Sequence, residues 1–303
     1  MPRSELIQAI ERLKRDQGAV ILAHNYQPPE IQDIADHLGD SLDLSRLASS
    51  IDARVIIFCG VHFMAETAAI LSPEKKIILP DPAAGCPMAD MINADDLASC
   101  KAEHAGAAVV MYVNSTAAVK ALTDICCTSA NAIKVVGTIP ASREIIFGPD
   151  RYLGGWVSSQ TGREMIIWDG YCPSHQKIFP KQIEALRAQH PGALVMVHPE
   201  TNPAVAELAD AVLGTGGMIR YAGESGASSF IVGTEVGMVY RLQKEYPGKE
   251  FIPASPHAIC PNMKKITLEK IQKSLQNLDP VITVPPHIAE RARGAILKMI
   301  EIV

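Results

Sequence analysis

The sequence predicts an α/β fold of three similar units, each a parallel sheet covered by helices, on three observations. Apolar strand-like runs recur at 19–24 (AVILAH), 108–113 (AVVMYV) and 193–198 (ALVMVH), and a polar or proline-containing turn and a helix-period segment follow each one. The helix-period segments are PPEIQDIADHLGD, STAAVKALTDICC and NPAVAELADAVLG. The copies also stand in constant register. Finally, short β-branched runs at 54–59, 76–80, 133–139, 165–168, 230–234 and 250–254 alternate with helical segments, as in parallel sheets buried on both faces.

The register is read by subtraction. His198, Pro203, Ala209, Asp210, Thr215 and Cys260 each lie 174 positions after His24, Pro29, Ala35, Asp36, Ser41 and Cys86. In the middle copy, Tyr112 and Ser129 lie 88 after His24 and Ser41, and Cys172 lies 86 after Cys86, so a two-residue deletion separates the offsets. The repeat places the units at 1–88, 89–174 and 175–262. A helical extension over 263–303 carries Ile271, Leu275 and Leu278 at helical spacing, then Ile288 to Ile302, and is expected to pack back on the units. Met1 to Gly18 reads as an amphipathic helix with Leu6, Ile10 and Leu13 on one face.

Composition narrows the function classes. With 303 residues, 48% of them hydrophobic, the chain can bury two or three ordinary cores. Its formal net charge of -5 offers no basic field for a nucleic acid. The longest apolar run, around Ala105 to Val113, is far short of the ~18 residues of a membrane span, and the first residues have no signal-like apolar stretch. A cytoplasmic enzyme without nucleic-acid or membrane partners is expected, and there cysteines bind metal, catalyse or pack rather than pair.

The repeat sorts the seven cysteines. Cys86, Cys172 and Cys260 recur in register and each precedes proline, in GCPMAD, GYCPSH and ICPNMK, whereas Cys59, Cys100, Cys126 and Cys127 have no counterparts and read as packed thiols. No C-x-x-C pair is present. Three thiolates from three loops suit either an iron-sulfur cluster or a zinc ion with one open position.

The polar residues at the first-strand ends belong to the same edge. His24, Tyr26, Tyr112, Asn114, His198 and Glu200 follow first strands, and ligands of open α/β sheets sit at the carboxyl ends of strands. Ser41, Ser129 and Thr215 precede helix-like stretches (LDLSRLASS, ANAIKVV and GGMIRYAG), where a hydroxyl caps the helix and its N–H groups can hold an anion. Taken singly, each would be an ordinary cap, a hydrogen-bonded histidine or a packed tyrosine. In register, they suggest a pocket for a di- or tricarboxylate.

The segments AHNYQPPEIQDIADHLGDSL, FCGVHFMAETA, PDPAAGCPMADM, MYVNSTAAVKALTD, VMVHPETNPAV and GTGGMIRY resemble those of bacterial and archaeal quinolinate synthases along nearly the whole chain. The resemblance implies three α/β domains related by pseudo-threefold symmetry around one 4Fe-4S cluster. It also implies condensation of iminoaspartate with dihydroxyacetone phosphate to quinolinate, phosphate and water. Cys86, Cys172 and Cys260 would then be ligands that leave one iron open to substrate. His24, Ser41, Ser129, His198 and Thr215 would hold carboxylates or phosphate, together with Tyr112 and Glu200, and Asn114 would orient the imine nitrogen. Tyr26, Tyr112, Glu200 and His175, the last three residues after Cys172, would transfer protons. A transient contact with the enzyme that supplies labile iminoaspartate is a further expectation. Some family members carry a C-x-x-C beside the third ligand, but here Pro261, Asn262 and Met263 follow Cys260, so no disulfide is expected there.

Phe63, Met64 and Glu66 resemble a cavity-lining junction of the family, but read equally well as core and a first-turn charge, and are left outside the site. Two other readings stay open on the residues alone: a zinc-dependent lyase or hydrolase, and a non-catalytic protein that binds a dicarboxylate. A redox carrier is disfavoured because no fourth cysteine shares the repeat.

Overall fold

A computed structural model describes residues 2–302. The first sheet grows from β1 (Ala19–His24), which follows the N-terminal helix α1 (Arg3–Gln17). After it come α2 (Pro29–Ile34), β2 (His37–Gly39), α3 (Ser41–Ser50), β3 (Val55–Cys59), α4 (His62–Leu71) and β4 (Lys76–Ile78). The same order is repeated by α5 (Ala94–Glu103), β5 (Ala108–Tyr112), α6 (Ala117–Lys120), β6 (Ile125–Cys127), α7 (Ala132–Gly137), β7 (Ile145–Gly148), α8 (Arg151–Thr161) and β8 (Ile166–Ile167). It recurs in α9 (Pro180–Gln189), β9 (Leu194–Val197), α10 (Pro203–Ala206), β10 (Ala211–Val212), α11 (Thr215–Glu224), β11 (Ser229–Gly233), α12 (Gly237–Glu245) and β12 (Glu250–Pro253). Two helices end the chain, α13 (Leu268–Asn277) and α14 (Pro286–Glu301).

All three sheets are parallel and share one strand order, β2-β1-β3-β4, β6-β5-β7-β8 and β10-β9-β11-β12. Every residue of β3 and β5 is buried, so these strands are apolar throughout rather than alternating, because helices cover both faces. One side-chain bond is copied three times. Asp36 accepts the Ile21 N–H at 2.8 Å, Asp124 the Val109 N–H at 2.9 Å and Asp210 the Val195 N–H at 2.7 Å, each carboxylate tying the loop before an edge strand to the central strand. The largest core runs through the first sheet and one side of the second and of the third, and takes in Ile271 and Leu275 of α13 and Ile296 and Met299 of α14. Smaller cores lie around Val109 and Ile146 and around Val195 and Ile231.

Two expectations are corrected. Each helix-period segment after a first strand is a short helix followed by a short edge strand (α2 with β2, α6 with β6, α10 with β10), since the apolar residues at its end pair with the first strand. Residues 133–139, read as a strand from Ile133, Val135 and Val136, lie mostly in helix α7. There Ala132, Val135 and Val136 are buried at helical spacing, and the place beside β5 is taken by β7, with Val109 opposite Ile146. Among the described residues no helix is long and apolar enough to cross a membrane.

Candidate active site

The carboxyl ends of the three sheets face one cavity. It is lined by Cys86, Cys172 and Cys260, by His24, Tyr26, Tyr112, Asn114, His175, His198 and Glu200, and by Ser41, Ser129 and Thr215, so every residue singled out for the site is brought to one place. Phe63 and Met64 line it too, contrary to their exclusion, because the start of α4 points at the cavity. Glu66 is elsewhere: its carboxylate accepts the Ala117 N–H at 3.0 Å, at the first turn of α6.

A chain of hydrogen bonds crosses the site. The Tyr26 hydroxyl lies 2.6 Å from Thr234 Oγ1, which lies 2.8 Å from His175 Nε2. Nδ1 of the same ring is 2.9 Å from Glu200 Oε2, and Tyr112 donates its hydroxyl to Glu200 Oε1 at 2.6 Å. Burial raises both phenols well above the usual tyrosine range, and the Glu200 charge raises them further, so Tyr26 and Tyr112 keep their protons. Burial pushes the Glu200 carboxyl up, but His198 and His175 beside it, with hydrogen bonds from His175 and Tyr112, outweigh this and hold it well below the usual range. With the proton on Nδ1, His175 donates to Glu200 and accepts at Nε2 from Thr234, whose oxygen accepts from Tyr26. Thr234 had no signal in the sequence, because its counterparts at the third-strand ends are Gly60 and Pro149.

His24 and His198 are set by one device. Nδ1 of each accepts the backbone N–H two residues on, from Tyr26 at 3.2 Å and from Glu200 at 3.3 Å, so a neutral ring carries its proton on Nε2. His198 Nε2 then donates to Ser129 Oγ at 3.2 Å, and Asn25 Nδ2 donates to Thr215 Oγ1 at 3.0 Å. Each hydroxyl is thus an acceptor towards the protein and keeps its own hydrogen for a ligand oxygen. The expected caps are not formed. Asp40 caps α3 through the Leu42 and Asp43 N–H groups, Ser41 and Thr215 are the first residues of α3 and α11, and Ser129 precedes Asn131, which flanks α7. Gly214 lets Ser129 approach α11, since a Cβ there would lie 2.7 Å from Ser129 Oγ.

Burial lowers His24 to about 3 and His198 to about 4 from 6.5. Both rings therefore stay neutral in the fold while the unfolded chain takes up protons below pH ~6.5. Their contribution to stability is complete above that pH and falls as the pH drops towards 4, by up to about 1.4 kcal/mol per pH unit for each histidine. Denaturation of metal-free protein at pH 7.5 and 5 should reveal this loss, and His24→Gln with His198→Gln should remove most of it. An undiminished loss in the double variant would refute the assignment.

The three cysteines share a local geometry. The sulfur of each is hydrogen-bonded by the backbone N–H groups two and three residues on, Met88 and Ala89 for Cys86, Ser174 and His175 for Cys172, Asn262 and Met263 for Cys260. Proline between them has no N–H and fixes the turn, which accounts for Cys-Pro in all three copies. Burial pushes the Cys86 thiol up to about 12, and it raises Cys172 and Cys260 as well, so holding three thiolates here calls for a strong positive charge such as a metal centre. All three are free of disulfides, and they are less buried than Cys59, Cys126 and Cys127. Cys172 Sγ, His175 Nδ1 and Glu200 also approach within 4.8 Å of one another, but His175 and Glu200 are already engaged in the proton chain.

Three repeated α/β units that converge on soft sulfur donors, neutral hydroxyl donors and a buried hydrogen-bonded chain of titratable groups define an enzyme for small-molecule substrates. The family model described as "Quinolinate synthetase A protein" matches residues 8–301. A quinolinate synthase of Dehalococcoides mccartyi strain CBDB1 is 54% identical over 303 residues, the whole of both chains. That of Geobacter metallireducens is 52% identical over 302 residues (100% of this chain, 99% of the relative), and that of Methanoregula boonei 51% identical over 295 (97% of each). The chain belongs to the quinolinate synthase family and is an enzyme of that family.

Proposed function

We propose that this enzyme condenses iminoaspartate with dihydroxyacetone phosphate, in the cytoplasm, to give quinolinate, phosphate and two molecules of water, with one 4Fe-4S cluster held by Cys86, Cys172 and Cys260. The three Cys-Pro turns carry the reading, since each offers the same pair of N–H groups to its sulfur at the rim of one cavity. Three such sulfurs fit a cluster with one iron left free. When bound, the cluster supplies a Lewis acid for a substrate carboxylate, hydroxyl or nitrogen. The chain is read as units 1–88, 89–174 and 175–262 with the extension 263–303.

The chain's own residues supply binding and proton transfer. Ser41, Ser129 and Thr215 donate hydroxyl hydrogens to the carboxylates or phosphate, and His24 and His198 line the same anion site. Asn114 has a buried side-chain oxygen without a protein partner, suited to an imine N–H. Tyr26 and Tyr112, kept protonated, act as acids towards departing hydroxyl groups. Glu200 is the base on which both ends of the chain converge. A proton lost by Tyr26 is replaced through Thr234 from Nε2 of His175 when that ring carries a second proton, while Nδ1 keeps its hydrogen bond to Glu200. The enzyme that delivers iminoaspartate is its transient partner.

Anaerobically prepared protein should be brown, with about four irons and four sulfides per chain, and should form quinolinate from the two substrates. One zinc without sulfide would refute the cluster. Binding of a dicarboxylate without turnover would refute the enzyme reaction.

A further inference from the structure

The sheet registers identify corresponding residues beyond each third strand. Ala23 pairs with Cys59, Met111 with Gly148 and Val197 with Gly233, so Val61, Asp150 and Glu235 are equivalent, each two residues past the strand. All three stand against a cysteine-bearing turn. The next backbone N–H in each unit donates to the carbonyl two residues before the cysteine, His62 to Ala84 at 2.7 Å, Arg151 to Gly170 at 2.8 Å and Val236 to Ala258 at 3.1 Å.

Their side chains differ. Glu235 is buried, and its Oε1 accepts the backbone N–H of Cys260 at 3.1 Å. Asp150, also buried, stands beside the Cys172 N–H, which favours its charged form, with Oδ1 taking the Leu153 N–H at 2.7 Å and Oδ2 left without a hydrogen-bond partner among the described residues. Val61 has no acceptor to offer Cys86. Glu235 reaches further: Oε2 accepts the Gly237 N–H at 2.7 Å, and Lys264 Nζ stands 2.9 Å from Oε1 while also donating to the Tyr26 carbonyl. Gly237 makes room for this node, because a Cβ there would lie 2.8 Å from both Glu235 Oε2 and the Tyr26 carbonyl oxygen.

We propose that Asp150 and Glu235 are positioning residues that anchor the cysteine turns at Cys172 and Cys260, and that Glu235, through Lys264, also fixes Tyr26 relative to Cys260. The Cys86 turn is held without a carboxylate. This rests on the cluster reading above. Groups that orient metal ligands in this way govern how tightly the metal is kept.

The test uses cluster-loaded protein under anaerobic conditions, with wild type, Glu235→Gln, Asp150→Asn and, as a control for charge alone, Glu245→Gln on the exposed side of α12. Iron release to a ferrous chelator should be about 10- to 100-fold faster in the first two variants and unchanged in the control. Glu235→Gln also leaves the Lys264 charge unbalanced near the cluster, so its reduction potential should rise, a shift that a merely structural role would not produce. Release rates equal to wild type in both variants, with a cluster present, would overturn the inference alone. Wild type without iron and sulfide would overturn the cluster reading and the inference together. Should Glu235→Gln not fold, the release rate of Asp150→Asn decides.

Discussion

Cys172→Ala is expected to yield a folded, colourless protein that makes no measurable quinolinate. The fold should survive because this partly exposed side chain only packs against the edge of the largest core and is not one of its buried members. The proposed cluster should not, because one of its three proposed ligands is gone and no other thiol can replace it: Cys59, Cys126 and Cys127 are buried in the cores and pushed up by burial, and Cys100 lies on α5. Iron and sulfide content, circular dichroism and the quinolinate assay on one preparation check this. Cys59→Ser, by contrast, should retain its iron. Full iron content in Cys172→Ala would remove this cysteine from the ligand set.

Glu200→Gln should lower kcat about 10²- to 10⁴-fold while leaving the cluster in place. Glu200 accepts from His175 on one oxygen and from Tyr112 on the other, and an amide of the same size can accept on only one side. Its NH₂ then faces a donor, which breaks the chain from Tyr26 or releases Tyr112. The rate of quinolinate formation, measured beside unchanged iron content, tests this. Turnover near wild type would exclude Glu200 as the base.

Residues 133–139 show which sequence signal prevailed. Ile133, Val135 and Val136 favour a strand, but the constant register with Ser41 and Thr215 favours a helix at that place, and the repeat won. Local propensity is worth tenths of a kcal/mol per residue, whereas burying Ala132, Val135 and Val136 on a helical face and giving the sheet position to β7 is worth several. The hydroxyls were legible as cavity-lining residues for the same reason, although the caps expected of them were not formed: Asp40 does the capping, which leaves Ser41 facing the cavity.

The sequence by itself determined the threefold α/β plan, the three Cys-Pro turns and the residues that gather at the common cavity, because repetition keeps equivalent positions at equivalent places on each sheet. Only the tertiary structure decided Thr234, Asn25, Asp150, Glu235 and Lys264. Their partners come from other units or from distant turns, as with Tyr26 and Thr234, 208 residues apart. Where the copies diverge, as at Val61, Asp150 and Glu235, an offset carries no signal. A hydrogen bond needs its atoms about 3 Å apart in a fitting direction, and that condition is met only when the chain has folded.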